Sequence, residues 1–94
     1  MATKVERSGI EACITKVNTA IETLNQAAAD VNSAMNELPA YWEGAAYEKA
    51  RTTYEEEYQP LLTTTLPETI SSFRDYIRGC METILEIDSE LAGR

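Results

Sequence analysis

The chain has 94 residues, 16 acidic against 8 basic, a net charge of −8 and no histidine. That length bounds it to one domain, and the charge argues against nucleic acid or an anionic membrane surface as a partner, since both reward clustered Lys and Arg. The commonest general base and transition-metal ligand are missing, and Cys13 and Cys80 are too far apart in sequence for a metal motif, so no catalytic residue, metal or cofactor is expected and the chain reads as a non-enzyme.

Residues Met1 to Arg7 contain no apolar core and no small-residue cleavage site, so no general secretory signal is expected there. No run of eighteen apolar residues occurs, so no stable membrane insertion is expected. From Ile10 the apolar residues run Ile10, Ile14, Val17, Ile21, Leu24, Ala28, Val31, Met35 and Leu38, in steps of four and three. That pattern predicts a bundle helix over about 8–38. Ser8 with Glu11, or Thr3 with Glu6, fits a capping box at its start. Cys13, Ala20, Ala27 and Ala34 flank the seam on one side and widen the apolar stripe; Asn18, Asn25 and Asn32 flank the other. The asparagine row reads as a solvated edge, with register-fixing hydrogen bonds across an interface as the alternative.

Positions 39–44 form the predicted turn. Pro39 cannot continue the helix, Gly44 supplies backbone freedom, and between them lies Trp42, the sole tryptophan. Trp42 reads either as a plug at the bundle end or as a recognition residue held at the tip.

A second helix is predicted over about 45–91. Its apolar positions are Tyr47, Ala50, Tyr54, Tyr58, Leu61, Leu62 and Leu66, then Ile70, Phe73, Ile77, Cys80, Ile84, Ile87 and Leu91. Tyr58, Leu62, Leu66 and Ile70 are spaced four, four, four, a stutter that coincides with Pro60 and Pro67. One long helix kinked or unwound near 60–67 is the reading; a true break with Thr65 and Glu68 capping a third helix is the alternative. Glu55, Glu56 and Glu57 splay around a helix and cannot converge on calcium, so they read as a solvated face. Arg78 stands four before Glu82 and is placed to pair with it, while Glu86 and Glu90 have no such partner and hint at a basic one.

The predicted architecture is therefore all-α: one domain over 1–94, a helical hairpin with a Trp-x-Gly turn. The seam of Ile10, Ile14, Val17, Ile21, Leu24, Val31, Met35, Leu38, Ile70, Phe73, Ile77, Ile84 and Ile87 serves as hairpin core or dimer interface. The stripe is too wide for a two-helix rod, so a homodimer, or a heterodimer with a similar chain, is expected to close an antiparallel four-helix bundle. With the turn at 39–44, position i lies opposite about 83 − i. Cys13 would then face Ile70, far from Cys80, and two free, mostly buried thiols are expected.

Helix, Trp42-Glu43-Gly44 turn, helix, in under a hundred residues, resembles the WXG family, the small early-secreted-antigenic-target-like proteins of type VII secretion in Gram-positive bacteria and mycobacteria. Ala46, Tyr47, Tyr54 and Pro60 follow the tryptophan at spacings where the family carries similar residues. The resemblance spans nearly the whole chain. It implies a four-helix bundle of two chains, export without a cleaved signal by a membrane ATPase, and a cytoplasmic stage before a secreted or cell-surface one. It makes Trp42 and Gly44 export and recognition residues, and it implies a virulence or interbacterial effector that acts through protein contacts. The Tyr-x-x-x-Asp/Glu tail of mycobacterial relatives is absent, because Cys80 stands four after Tyr76. Ile84, Asp88 and Leu91 fit three of the four places of the tail pattern of Gram-positive relatives, with Arg94 one residue short of the fourth. The partial pattern motivates an alternative, an export chaperone or adaptor for a larger type VII toxin. A helical module inside the cell, with Trp42 as its plug, is a third reading.

Overall fold

The three-four spacing of the first half becomes α1 (Arg7–Glu37), a single helix of 31 residues. A computed structural model describes residues 4–92, with side chains described through residue 87. α1 runs into a 3₁₀ turn, Leu38–Ala40, with Pro39 inside it, where a missing N–H is tolerated. Residues 41–44 reverse the chain, and helical backbone then continues from residue 45 to 92 as α2 (Ala45–Thr53), two π turns (Tyr54–Tyr58 and Leu61–Thr65) and α3 (Leu66–Ala92). There is no strand among the described residues. The two arms lie antiparallel in a hairpin whose extents are 73 × 19 × 19 Å.

The stutter has a specific backbone form. The Gln59 N–H closes the first π turn on the Tyr54 carbonyl, and the Leu66 N–H closes the second on the Leu61 carbonyl. Each closing residue is followed at once by a proline, Pro60 or Pro67. In a regular α-helix the proline ring collides with the carbonyl four residues back and leaves it without a donor. Widening the turn by one residue moves that carbonyl aside, so the chain stays helical through both prolines. The four-four-four spacing of apolar residues suits these wider turns and returns to three-four in α3.

The start of α1 departs from the capping expectation. The helix begins at Arg7, Glu6 holds the cap position without a side-chain cap bond, and Ser8 lies inside the first turn. Thr3 is outside the described residues. Glu11 reaches across the hairpin instead, to Arg78 at 3.4 Å. Likewise Glu82 takes a two-pronged hydrogen bond from Arg7, at 2.7 and 2.9 Å, rather than closing on Arg78.

These cross-arm partners also correct the register. About the 39–44 turn, Asn32 is expected opposite about position 51 and Arg7 opposite about position 76. Asn32 instead accepts hydrogen bonds from the Tyr54 hydroxyl and from Gln59 Nε2 at 3.2 Å, while Arg7 meets Glu82. The second arm is offset from simple opposition all along the hairpin, by more than the one extra residue that each wide turn adds. The asparagine row is correspondingly not a simple solvated edge. Asn18 accepts from Arg74 Nη1 at 2.8 Å and Asn32 holds two donors, both part-buried; Asn25 between them is exposed.

The core is narrow. Below one-tenth exposure stand Ile14, Ala28, Tyr47 and Met81, at 1–4 %. Around them Ile10, Val17, Ile21, Leu24, Met35, Leu38, Ile70, Ile77 and Ile84 are half-buried. Three seam residues are not enclosed by the hairpin: Val31 is 39 % exposed, Phe73 61 % and Ile87 50 %. The row of α3 that faces α1 is centred on Met81 and on the half-buried Arg74, one residue round from Phe73, Cys80 and Ile87.

Two outcomes follow from this packing. Replacing Asn32 by Ala leaves Tyr54 and Gln59 without their acceptor and is expected to lower unfolding stability by about 1–2 kcal/mol in urea titrations at fixed protein concentration, whereas Asn25→Ala stays within about 0.5 kcal/mol; equal effects would remove Asn32 as the register pin. The hydrogen bond from Arg7 holds the Glu82 carboxyl below its ordinary value. A depressed carboxylate stabilises the fold above its unfolded pKa and loses that contribution as pH falls through the folded value. Stability should therefore decline as pH drops below about 4.5, and Glu82→Gln should make the acid limb shallower; superimposable acid profiles for the two proteins would refute it.

Candidate functional site

The tip is built by three local events. α1 stops where Pro39 enters, and the Tyr41 and Trp42 N–H groups both fold back onto the Leu38 carbonyl, at 2.9 and 3.1 Å. Gly44 takes φ 120° and ψ 179°, backbone that a side-chain-bearing residue rarely adopts, and its carbonyl accepts from the Glu48 N–H at 3.1 Å to start α2. Tyr47, on the first turn of α2, then points into the hairpin.

Tyr47 rather than Trp42 fills the end of the hairpin. It is 4 % exposed, while Trp42 is 41 % exposed and lies edge-on to it, with ring centroids 5.7 Å apart. Trp42 is thus part platform and part exposed surface, and Tyr41 beside it is 87 % exposed. Tyr47 was legible as an apolar helical position, but the size and rarity of tryptophan drew attention to its neighbour.

Two concavities flank the Pro39–Tyr47 ridge. One, about 520 Å³, is walled by Pro39, Trp42, Glu43, Gly44, Tyr47 and Glu48. The other, about 450 Å³, carries the amides of Asn32, Asn36 and Gln59, the Tyr54 phenol and the Arg51–Glu55 pair. Glu55 holds Arg51 at 3.1 Å, and that hydrogen bond pushes the guanidinium pKa further up, fixing its charge. Among the described residues no three of Cys, Asp and Glu gather into a metal cage.

The second candidate surface runs the length of the rod. Ion pairs and hydrogen bonds between the arms (Arg7–Glu82, Glu11–Arg78, Asn18–Arg74 and Asn32–Tyr54) bind one side of the hairpin. The opposite side is made by Ile10, Cys13, Val17, Ala20, Leu24, Ala27, Val31 and Ala34 of α1 and by Leu66, Ile70, Phe73, Ile77, Cys80, Ile84 and Ile87 of α3. Helical spacing puts each set on one flank of its helix, and Ile10, Cys13 and Ile77 line one shared concavity between the arms, with Lys4 and Glu6 at its end. No member of either set is charged, and the outer row of the α1 set, Cys13, Ala20, Ala27 and Ala34, is small.

Both cysteines belong to this face. They are free, as expected, but exposed rather than buried, and Cys13 stands beside Ile77 rather than Ile70. Of the tail pattern, Ile84 is half-buried; Asp88 and Leu91 lie outside the residues whose side chains are described. No helix among the described residues is long and apolar enough to cross a membrane.

Comparison of the chain with family models, curated proteins and solved structures finds no match. The reading of the site therefore rests on its own chemistry.

Gly44 gives a test of the tip that does not depend on packing. A Cβ placed there meets nothing within 4 Å, so any cost of Gly44→Ala is backbone strain. A loss of about 1–3 kcal/mol in thermal or urea unfolding is expected; an unchanged midpoint would mean that the reversal relaxes to another conformation.

Proposed function

We propose that this chain is a WXG-type helical hairpin that works by protein contacts as a homodimer, exported folded through a type VII secretion system, with Trp42 and Gly44 in its export-recognition turn. The observation that carries the dimer is the exposed apolar face, where Val31, Leu66, Phe73 and Ile87 stand in solvent. More than a quarter of the residues are charged, 26 %, yet fifteen positions along that face carry none. A 73 × 19 Å side offers on the order of 1,000 Å², more than the ~800 Å² that each partner buries in a standard interface. The small row of α1 and the bulky row of α3 are complementary, so a second copy fits where a random apolar surface would not. Export rests on the sequence resemblance, and the half-exposed Trp42 supports it: a tryptophan left partly in solvent at a fixed turn is available to be read.

Two measurements test the reading together. Sedimentation should give a dimer for the wild type and a monomer for Phe73→Glu, with helical circular dichroism retained, since Phe73 is not enclosed by its own hairpin. Because the two copies carry like charge, added salt should tighten the dimer. In a host with a working type VII machine, wild type should reach the medium and folded Trp42→Ala should stay in the cell. A wild-type monomer that pairs only with a larger chain would replace this reading with the adaptor, and equal export of both proteins would remove Trp42 from the signal.

A further inference from the structure

We infer that the concavity formed by Trp42, Glu43, Gly44, Tyr47 and Glu48 is a receptor for an arginine side chain on an extended segment of a partner protein. It extends the reading of the tip as a recognition surface by naming what the tip recognises.

Two independent features converge there. The wall is the partly exposed Trp42, 41 % exposed and held edge to face against the buried Tyr47 with centroids 5.7 Å apart. Aromatic faces attract cations through their quadrupole, tryptophan best of all. The rim carries two carboxylates, Glu43 and Glu48, neither of which has an ion-pair partner among the described residues. The floor includes the ring of Tyr47, 4 % exposed, in a concavity of about 520 Å³.

The chemistry selects a cation and then its type. An anion would face two carboxylates; the nearby Arg51 is already engaged by Glu55. A neutral apolar group would leave both carboxylates desolvated and unpaired. Guanidinium is planar, weakly hydrated and able to stack on indole while its edge donates to carboxylate, which an ammonium does less well. Gly44 leaves open space beside its backbone, so an extended segment can lie close. The bare apolar face lies along the flanks of the arms rather than on their end, so a second copy docked there leaves the tip open.

The sole tryptophan is its own reporter. The full-length protein is titrated with the blocked peptide acetyl-Gly-Arg-Gly-Arg-Gly-amide and with the same peptide carrying citrulline, which keeps the shape and loses the charge. The expected result is a saturable change in Trp42 fluorescence with the arginine peptide only, at least about tenfold weaker in Glu43→Gln/Glu48→Gln, and weaker again when salt rises from about 0.05 to about 0.5 M. Glu56→Gln/Glu57→Gln should bind as wild type. Equal responses to the two peptides, no saturable response to either, or a loss in the 56–57 variant matching that at 43 and 48 would each overturn the assignment. Sedimentation of the same variants keeps this test apart from the dimer, and peptide binding by a protein whose Trp42→Ala form is still exported would sink the export role while leaving the arginine site standing.

Discussion

Everything in this fold depends on an imbalance between the two sides of one hairpin. The polar cross-links between the arms all fall on one side, where Arg7, Glu11, Asn18 and Asn32 find partners on the second arm. Exposed ion pairs contribute little apiece, so their work is to fix register rather than to supply stability. The stabilising apolar area is on the other side, and a single copy leaves much of it in water. Among the described residues four side chains are nearly fully enclosed, too few to make a two-helix rod comfortable by itself. In the proposed dimer a second chain resolves the imbalance, and the register pins determine which rows are presented to it.

Much of this architecture is readable from the residues because helical periodicity survives without an alignment. The nine-residue seam of the first half specifies α1 and most of its buried row. The stutter at Tyr58, Leu62, Leu66 and Ile70 marks where the second arm changes its winding. What it does not specify is how. A kink and a pair of wide turns leave the same trace in apolar spacing, and only the hydrogen bonds from Gln59 to Tyr54 and from Leu66 to Leu61 tell them apart. Simple opposition of positions about the loop fails already at Asn32, where Tyr54 and Gln59 both reach one acceptor, so the partners of Asn18 and Asn32 were not predictable by counting.

The second arm was harder to read for a different reason. Its apolar stripe is wider than the contact it makes with α1, and the strongest apolar letters, Phe73 and Ile87, are on the outer part of that stripe. The inner part contains Arg74, whose aliphatic stem can line a core while its head reaches Asn18. A charged letter in the facing row shifts the apparent seam by one residue. At the tip the turn residues were legible, and the division of labour between Trp42 and Tyr47 was not, because burial of an aromatic ring depends on which way the reversal throws it.

The order of the cross-arm pairs along the chain bears on how the hairpin opens. Asn32 and Tyr54 are 22 residues apart in sequence, whereas Arg7 and Glu82 are 75 apart. Contacts near the tip close short loops and form at small entropic cost; those at the far end depend on the intervening ones being in place. The first and last described stretches leave the rod at the same end, beside the Arg7–Glu82 pair. Tension applied between them loads the pairs one after another instead of all together. The molecule is a zipper with its stop at the tryptophan end: it yields to a steady pull at modest force and recloses from the stop outward when released.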